Sequence, residues 1–232
     1  MTKAEDQYKE GELLNPLDGK NLISPSLTKL PDFEPKIKLG ILASGNGTNF
    51  EYIIKAIQNK QLNAEISILI VNNPNCLAIK KAEDNNINYA VINHRDCISR
   101  EQHDELVINS LIEYSVELVV MAGWMRIAGE DLIIKFKERL INIHPSLLPS
   151  FKGIDAIQQA INNKVLITGC TVHYVQKEVD SGAIIIQAAV PVYEGEDKNT
   201  LQKRIQNMEH IILPAAINIV AKRIRTDFKD KK

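Results

Sequence analysis

A chain of 232 residues is long enough to bury one sizeable core, and its 44% hydrophobic and 25% charged residues exclude disorder as the general state. Lys and Arg number 28 against 29 Asp and Glu, a net charge of −1 that offers no global basic field to a nucleic-acid backbone. No apolar run approaches the roughly 20 residues that cross a bilayer, and Cys76, Cys97 and Cys170 lack zinc or dithiol spacing and fit a reducing cytosol.

Residues 1–35 carry Pro16, Pro25, Pro31 and Pro35 among polar residues, which disfavours regular elements and predicts an extended, partly disordered N-terminal arm. The arm's acids Glu5, Asp6, Glu10 and Glu12, with no apolar core and no arginine, fit neither an export signal nor a transit peptide, so a cytoplasmic location is expected. From Lys36 onward short β-branched runs alternate with longer amphipathic stretches, the signature of βαβ units. One domain is expected over 36–226, followed by a charged tail at 227–232.

Five parallel strands are expected at Ile37–Ala43, Glu65–Val71, Tyr89–Ile92, Leu118–Met121 and Leu140–Ile143. Helices follow the loops, one over Phe50 to Gln58 and one opened by the capping pair Ser99 and Gln102 and running to about Tyr114. Beyond Gly169 the pattern becomes strand (Cys170–Val175), turn (Glu178–Gly182) and strand (Ala183–Val192), an antiparallel hairpin that finishes the sheet. A last helix is expected from about Asn199 to Ile224, kinked or divided by Pro214. The fold class is therefore α/β: a Rossmann-like, mostly parallel sheet with helices on both faces and a C-terminal antiparallel hairpin.

The first strand runs through Ser44-Gly45-Asn46-Gly47-Thr48-Asn49 straight into a helix, a geometry that aims helix N-terminal amides at an anion. A dinucleotide fingerprint would need a third glycine near Phe50 and an acid where Val71-Asn72-Asn73 stands, so NAD is not expected. A nucleotide-triphosphate loop would need Gly-Lys-Ser/Thr, also absent, which leaves a single phosphate as the economical ligand. The same Gly-Asn-Gly run is equally the signature of a tight strand-to-helix turn without a ligand.

Asn142 and His144 stand two apart on the fifth strand, on one face and at its carboxyl end, where ligands of open α/β sheets bind. An amide donor beside an imidazole can hold a developing oxyanion and move a proton, the two needs of acyl transfer. The alternative is a half-buried strand end whose Asn and His satisfy local hydrogen bonds. Asp180, before Ser181-Gly182, suits either a turn or a partner for an imidazole. His173 reads as a packed core histidine, His94 and His103 show no metal-ligand spacing, and Cys170 reads as core; no metal is expected.

Gly45-Asn46-Gly47-Thr48-Asn49, Met121-Ala122-Gly123-Trp124-Met125-Arg126-Ile127, Asn142-Ile143-His144-Pro145-Ser146-Leu147-Leu148-Pro149 and Val179-Asp180-Ser181-Gly182 together resemble the phosphoribosylglycinamide formyltransferases, in order and in spacing. The resemblance covers about Lys36 to Ala221. It implies a formyltransferase-like fold and formyl transfer from 10-formyltetrahydrofolate, a cosubstrate, to the amine of glycinamide ribonucleotide in purine synthesis. It implies that Gly47, Thr48 and Asn49 hold the phosphate and that Gln206 and Glu209 meet the sugar and glycinamide. It further implies that Arg100, Met125, Arg126, Ile127, Ala128 and Asn142 line the folate site, with Asn142 and His144 at the formyl oxygen and Asp180 raising the imidazole pKa and organising water. Thr48, Trp124 and Ala128 stand where other members often carry serine, phenylalanine and a bulkier aliphatic residue.

The expected partners are thus small molecules, with neither nucleic acid nor membrane involved and the chain a monomer or weak homodimer. The rival functions are a formyltetrahydrofolate hydrolase, with water as acceptor, and a nucleotide-binding module that keeps the fold without turnover. The glycine-rich loop counts against the first, and the joint presence of Asn142, His144 and Asp180 against the second.

Overall fold

The structure, a computed structural model, describes residues 22–27 and 33–229, with side chains described as far as residue 226. Much of the expected arm, residues 1–21 and 28–32, and the end of the expected tail, residues 230–232, lie outside the described residues. The elements in chain order are β1 (Leu22–Ser24), β2 (Ile37–Ala43), α1 (Thr48–Gln58), β3 (Ala64–Val71), α2 (Leu77–Asp84), β4 (Tyr89–Val91) and α3 (Arg100–Glu113). They continue through β5 (Leu118–Met121), α4 (Glu130–Lys135), β6 (Leu140–His144), α5 (Ala156–Asn162), β7 (Ile167–Tyr174), β8 (Ile184–Pro191) and α6 (Lys198–Lys229).

The described strands form one sheet in the order β1-β8-β7-β6-β5-β2-β3-β4. Strands β2 to β6 pair in parallel, while β6 with β7, β7 with β8 and β8 with β1 pair antiparallel. The five parallel strands and the closing hairpin are those expected from the sequence. Leu22–Ser24 departs from expectation: this part of the arm is a short edge strand, Leu22 pairing with Ala189 and Ser24 with Gln187. Proline is compatible with such a place, since Pro25 falls just after the last paired residue and removes no ladder hydrogen bond.

Alternation along the strands makes two cores. Ile37, Leu39 and Ile41 of β2, with Leu118 and Val120 of β5, point to the face covered by α1, α2, α5 and α6. Leu42, Ile68, Ile70, Val119 and Met121 point to the other face, where Val107 and Leu111 of α3 and Leu132 of α4 meet them. Each fully buried side chain of this size contributes about 1.5–3 kcal/mol relative to exposure. On β6, Ile141 and Ile143 take the first face, so Asn142 and His144 must take the second, with Leu140.

Ser99 caps α3 as its spacing predicts, its hydroxyl accepting from the Gln102 amide at 3.2 Å. Gln102 reaches back to the amide of Ile98 at 2.8 Å, one residue further than the usual capping box. Of the kink or division expected at Pro214, the division does not occur: α6 is one helix of 32 residues with the proline inside it. Pro214 deprives the carbonyl of His210 of its helical donor, but burial of Leu201, Ile205, Met208, Ile212, Leu213 and Ile217 along the same helix outweighs that loss. Near the end of α6, Arg225 donates to both carboxylate oxygens of Glu117, at 2.6 and 2.8 Å, and to the carbonyls of Pro35 and Lys36. That clamp lies at the starts of β2 and β5, opposite the strand ends that carry the motifs.

Candidate active site

Strand order reverses between β2 and β5: the chain leaves β2 toward β3 and β4 on one side and leaves β5 toward β6 on the other. The crevice at such a reversal, beyond the carboxyl ends of the strands, is where an open α/β sheet binds ligands. A cleft of about 620 Å³ opens there, lined by Gly45–Asn49, Met121–Ala128, Asn142–Pro145, Asp180 and one face of α6. The loops after β2 and β5 are tied together, the Ser44 amide donating to the Gly123 carbonyl at 3.1 Å and the Met125 amide to the Ser44 hydroxyl at 2.8 Å.

Gly47 is the N-cap of α1 in a left-handed conformation, φ 65°, and no side chain caps this helix. A β-carbon at Gly47 would stand 2.9 Å from the Ala78 β-carbon, so both backbone angle and space require glycine. The first-turn amides of a helix have no intrahelical acceptor, and here they are left to the cleft. Asn49 is more committed than the sequence suggested. Its amide donates to Glu209 Oε2 at 2.9 Å, while its own Oδ1 is buried without a partner. Burial pushes the Glu209 carboxyl above its ordinary range, and the Asn49 hydrogen bond opposes that shift.

On α6, Lys198, Gln202, Ile205, Gln206 and Glu209 line the cleft at helical spacing, so Gln206 and Glu209 share a face. Lys198 was not singled out from the sequence; its ammonium pairs with Asp155 at 2.6 Å across the mouth. Its only advance signal was the helical period leading to Gln206.

Asn142 and His144 lie where β6 meets β7, opposite His173 and Thr171. His144 does not point into hydrocarbon: Nδ1 lies 3.2 Å from Asp180 Oδ2, and Nε2 lies 2.8 Å from the Phe151 carbonyl. An imidazole with an oxygen at each nitrogen donates to both only when doubly protonated. Asp180 has a positive φ of 49° and accepts from the Gly153 amide at 2.9 Å. Burial raises its carboxyl, but His173, the Gly153 amide and His144 outweigh that effect and hold it below its usual range.

His173, set aside in the sequence as core, is a member of this cluster. It is 2% exposed, as a core residue would be, yet it lines the cleft. Its Nδ1 lies 2.8 Å from the Tyr174 carbonyl, and its Nε2 faces both Asn142 Nδ2 at 3.2 Å and Asp180 Oδ1 at 3.5 Å. With Nδ1 donating to the carbonyl, Nε2 accepts from the Asn142 amide when the ring is neutral and donates to Asp180 when it is protonated. Cross-strand register with Asn142 was the signal that identifies it, and register is not written in either strand alone.

Met125, Arg126, Ile127 and Ala128 all line the cleft, Met125 being 80% exposed while Ala128 is buried. Arg100 departs from the group: it is exposed on the first turn of α3 and is not among the residues lining the cleft. Its Cδ lies 3.9 Å from where a β-carbon would stand at Gly129, which places it just behind the end of the Met125–Ala128 segment. Cys170 is core as expected, its thiol pushed well above its ordinary value by burial and then by Glu209. Among the described residues no group of three or more His, Cys, Asp or Glu could hold a metal ion, and no helix is long and apolar enough to cross a membrane.

Residues 37–217 match the formyl transferase family model. A phosphoribosylglycinamide formyltransferase of Bacillus subtilis is 36% identical over 180 residues, which cover 78% of this chain and 92% of that protein. The trifunctional purine biosynthetic protein adenosine-3 of Gallus gallus is 44% identical over 186 residues, 80% of this chain, but the match spans only 18% of that longer protein. The crystal structure of glycinamide ribonucleotide transformylase 1 from Symbiobacterium toebii superposes with a TM-score of 0.79 at 36% identity, covering 81% of this chain and 88% of that one.

Proposed function

The chain belongs to the formyl transferase family, and from that premise we propose that it transfers the formyl group of 10-formyltetrahydrofolate to the glycine amine of glycinamide ribonucleotide in purine biosynthesis. The observation that carries the proposal is the meeting of His144 with Asp180 at 3.2 Å in one cleft with Asn142 and the Gly47–Asn49 amides. The domain that does this is residues 36–226, and its substrates are small molecules. Three free cysteines suit work in a reducing cytoplasm.

In this reading the first-turn amides of α1 receive the ribonucleotide phosphate, and Gln206 and Glu209 meet its sugar and glycinamide parts. The segment Met125–Ala128 receives the folate ring system, and Arg100 stands behind the end of that segment. The neutral amine attacks the formyl carbon, and the formyl oxygen takes up negative charge. The Asn142 amide holds that oxyanion together with the protonated His144 ring, whose Nε2–H leaves the Phe151 carbonyl to reach it while Nδ1–H stays on Asp180. Collapse breaks the bond between the formyl carbon and the folate nitrogen. The proton lost by the attacking amine ends on that nitrogen, carried through His144 or water held by Asp180. Asp180, kept anionic by its neighbours, balances the positive charge of the His144 ring whenever that ring carries the proton.

The test follows tetrahydrofolate release from 10-formyltetrahydrofolate with and without glycinamide ribonucleotide. Release that requires the ribonucleotide supports transfer. Release without it identifies a hydrolase, and no release in either case identifies a binding module.

A further inference from the structure

The segment that forms the folate end of the cleft is a loop, residues 122–129, with neither helix nor strand of its own before α4. A loop holds a ligand well only where other elements fix its backbone. Near its start the Ser44 hydroxyl accepts from the Met125 amide. Its far end is fixed from α3, by a residue that does not line the cleft. Asp104 Oδ2 accepts from the Gly129 amide at 2.6 Å, a short charge-assisted bond, and Asp104 is 6% exposed.

Gly129 shows how closely the two are fitted. Its backbone is ordinary, with φ −77° and ψ 169°, so its conformation does not call for glycine. A β-carbon there would stand 2.0 Å from Asp104 Oδ2, so space for the carboxylate does. The other carboxylate oxygen lies 3.4 Å from His103 Nδ1, and His103 Nε2 lies 3.2 Å from the Ile92 carbonyl. The His103 ring also stands 5.9 Å from that of Trp124, the buried aromatic of the same loop. Adjacent residues of α3 therefore hold both the beginning and the end of the segment whose exposed Met125 and Ile127 face the cleft.

We infer that Asp104 is a positioning residue for the folate end of the cleft: it fixes Gly129, and through it the Met125–Ala128 backbone, without touching the ligand. This rests on the assignment of Met125–Ala128 to folate. Loss of the bond leaves the Gly129 amide unpaired and lets the loop take several conformations, so folate must order it on binding. The ribonucleotide end is held by Gly47 and α6, and its ties to this loop, from Ser44 to Gly123 and Met125, lie toward the loop's start and away from Gly129.

The test measures Kd for tetrahydrofolate and for glycinamide ribonucleotide by calorimetry on the full chain, with thermal unfolding, for wild type, Asp104→Ala, Asp104→Asn and Gly129→Ala. Asp104→Ala is expected to weaken tetrahydrofolate binding about tenfold or more and to leave ribonucleotide binding within about twofold. Asp104→Asn, which keeps an acceptor oxygen, should recover most of the loss, and Gly129→Ala should reproduce it by displacing the carboxylate. Unchanged tetrahydrofolate affinity in Asp104→Ala, or equal weakening of both ligands, overturns the inference, as does a wild type that binds no tetrahydrofolate. A wild type that binds both ligands but does not transfer formyl refutes the proposed reaction while these affinities still decide the role of Asp104.

Discussion

At the hairpin end of the cleft Asp180 stands among His144, His173 and the Gly153 amide, and its carboxyl is held below the usual range despite burial. At the α6 end Glu209 is buried with the Asn49 amide as its hydrogen-bond donor, and its carboxyl is pushed above the usual range. Two carboxylates on one cleft thus differ in the cost of their charge. For Asp180 the folded state favours the anion, so its contribution to stability is present above the unfolded value near 3.8 and is lost as pH falls through the lower folded value. For Glu209 the folded state favours the acid, so stability is greatest below the unfolded value near 4.5 and declines as pH rises through the folded one. The first charge supports the fold; the second opposes it, on the α6 wall of the cleft that the proposed reaction gives to the ribonucleotide.

The comparison can be broken at several points. The largest expected effect is that of His144→Ala, which removes one oxyanion donor and should cost about 100- to 1,000-fold in turnover with ribonucleotide affinity nearly intact; steady-state kinetics beside calorimetry measures both. Asp180→Asn should lower turnover about 100-fold and also lower the midpoint of thermal unfolding at neutral pH; an unfolding midpoint above that of wild type would reverse the assignment. Glu209→Gln separates the two ends most sharply. It should raise the ribonucleotide KM about tenfold while leaving the protein as stable at neutral pH as wild type, or more so, and a loss of stability would show that the buried anion is not costly.

The smallest expected effect falls on acid stability alone. Burial, aided by Lys55 and Lys81 and opposed by Glu51, lowers His210 to about 4 from its ordinary 6.5. The unfolded ring therefore binds a proton that the folded ring refuses, and stability falls as pH drops from about 6.5 toward 4. His210→Gln should flatten that slope in denaturant unfolding followed against pH, with turnover little changed.

Much of this architecture could be read from the chain because it is local. β-branched runs gave the five parallel strands, and Ser99 with Gln102 gave the start of α3. What escaped was set by partners distant in sequence. Leu22–Ser24 is too short to show a period and exists as a strand through β8. Pro214 fails to divide α6 because the helix is held by the sheet on either side of it. His173 joins the site through its register with Asn142, and Asn49 turns to Glu209, 160 residues away. Arg100 was expected at the folate site from the family resemblance, which could not say how far the first turn of α3 stands from the cleft wall.

The central claim is that His144 and Asp180 act as one unit. A double-mutant cycle on acceptor-dependent tetrahydrofolate release, with His144→Ala, Asp180→Asn and both together, tests it most directly. If the two share one reaction centre, the double variant will be within about threefold of His144→Ala. Losses that multiply would show two independent groups and contradict the account.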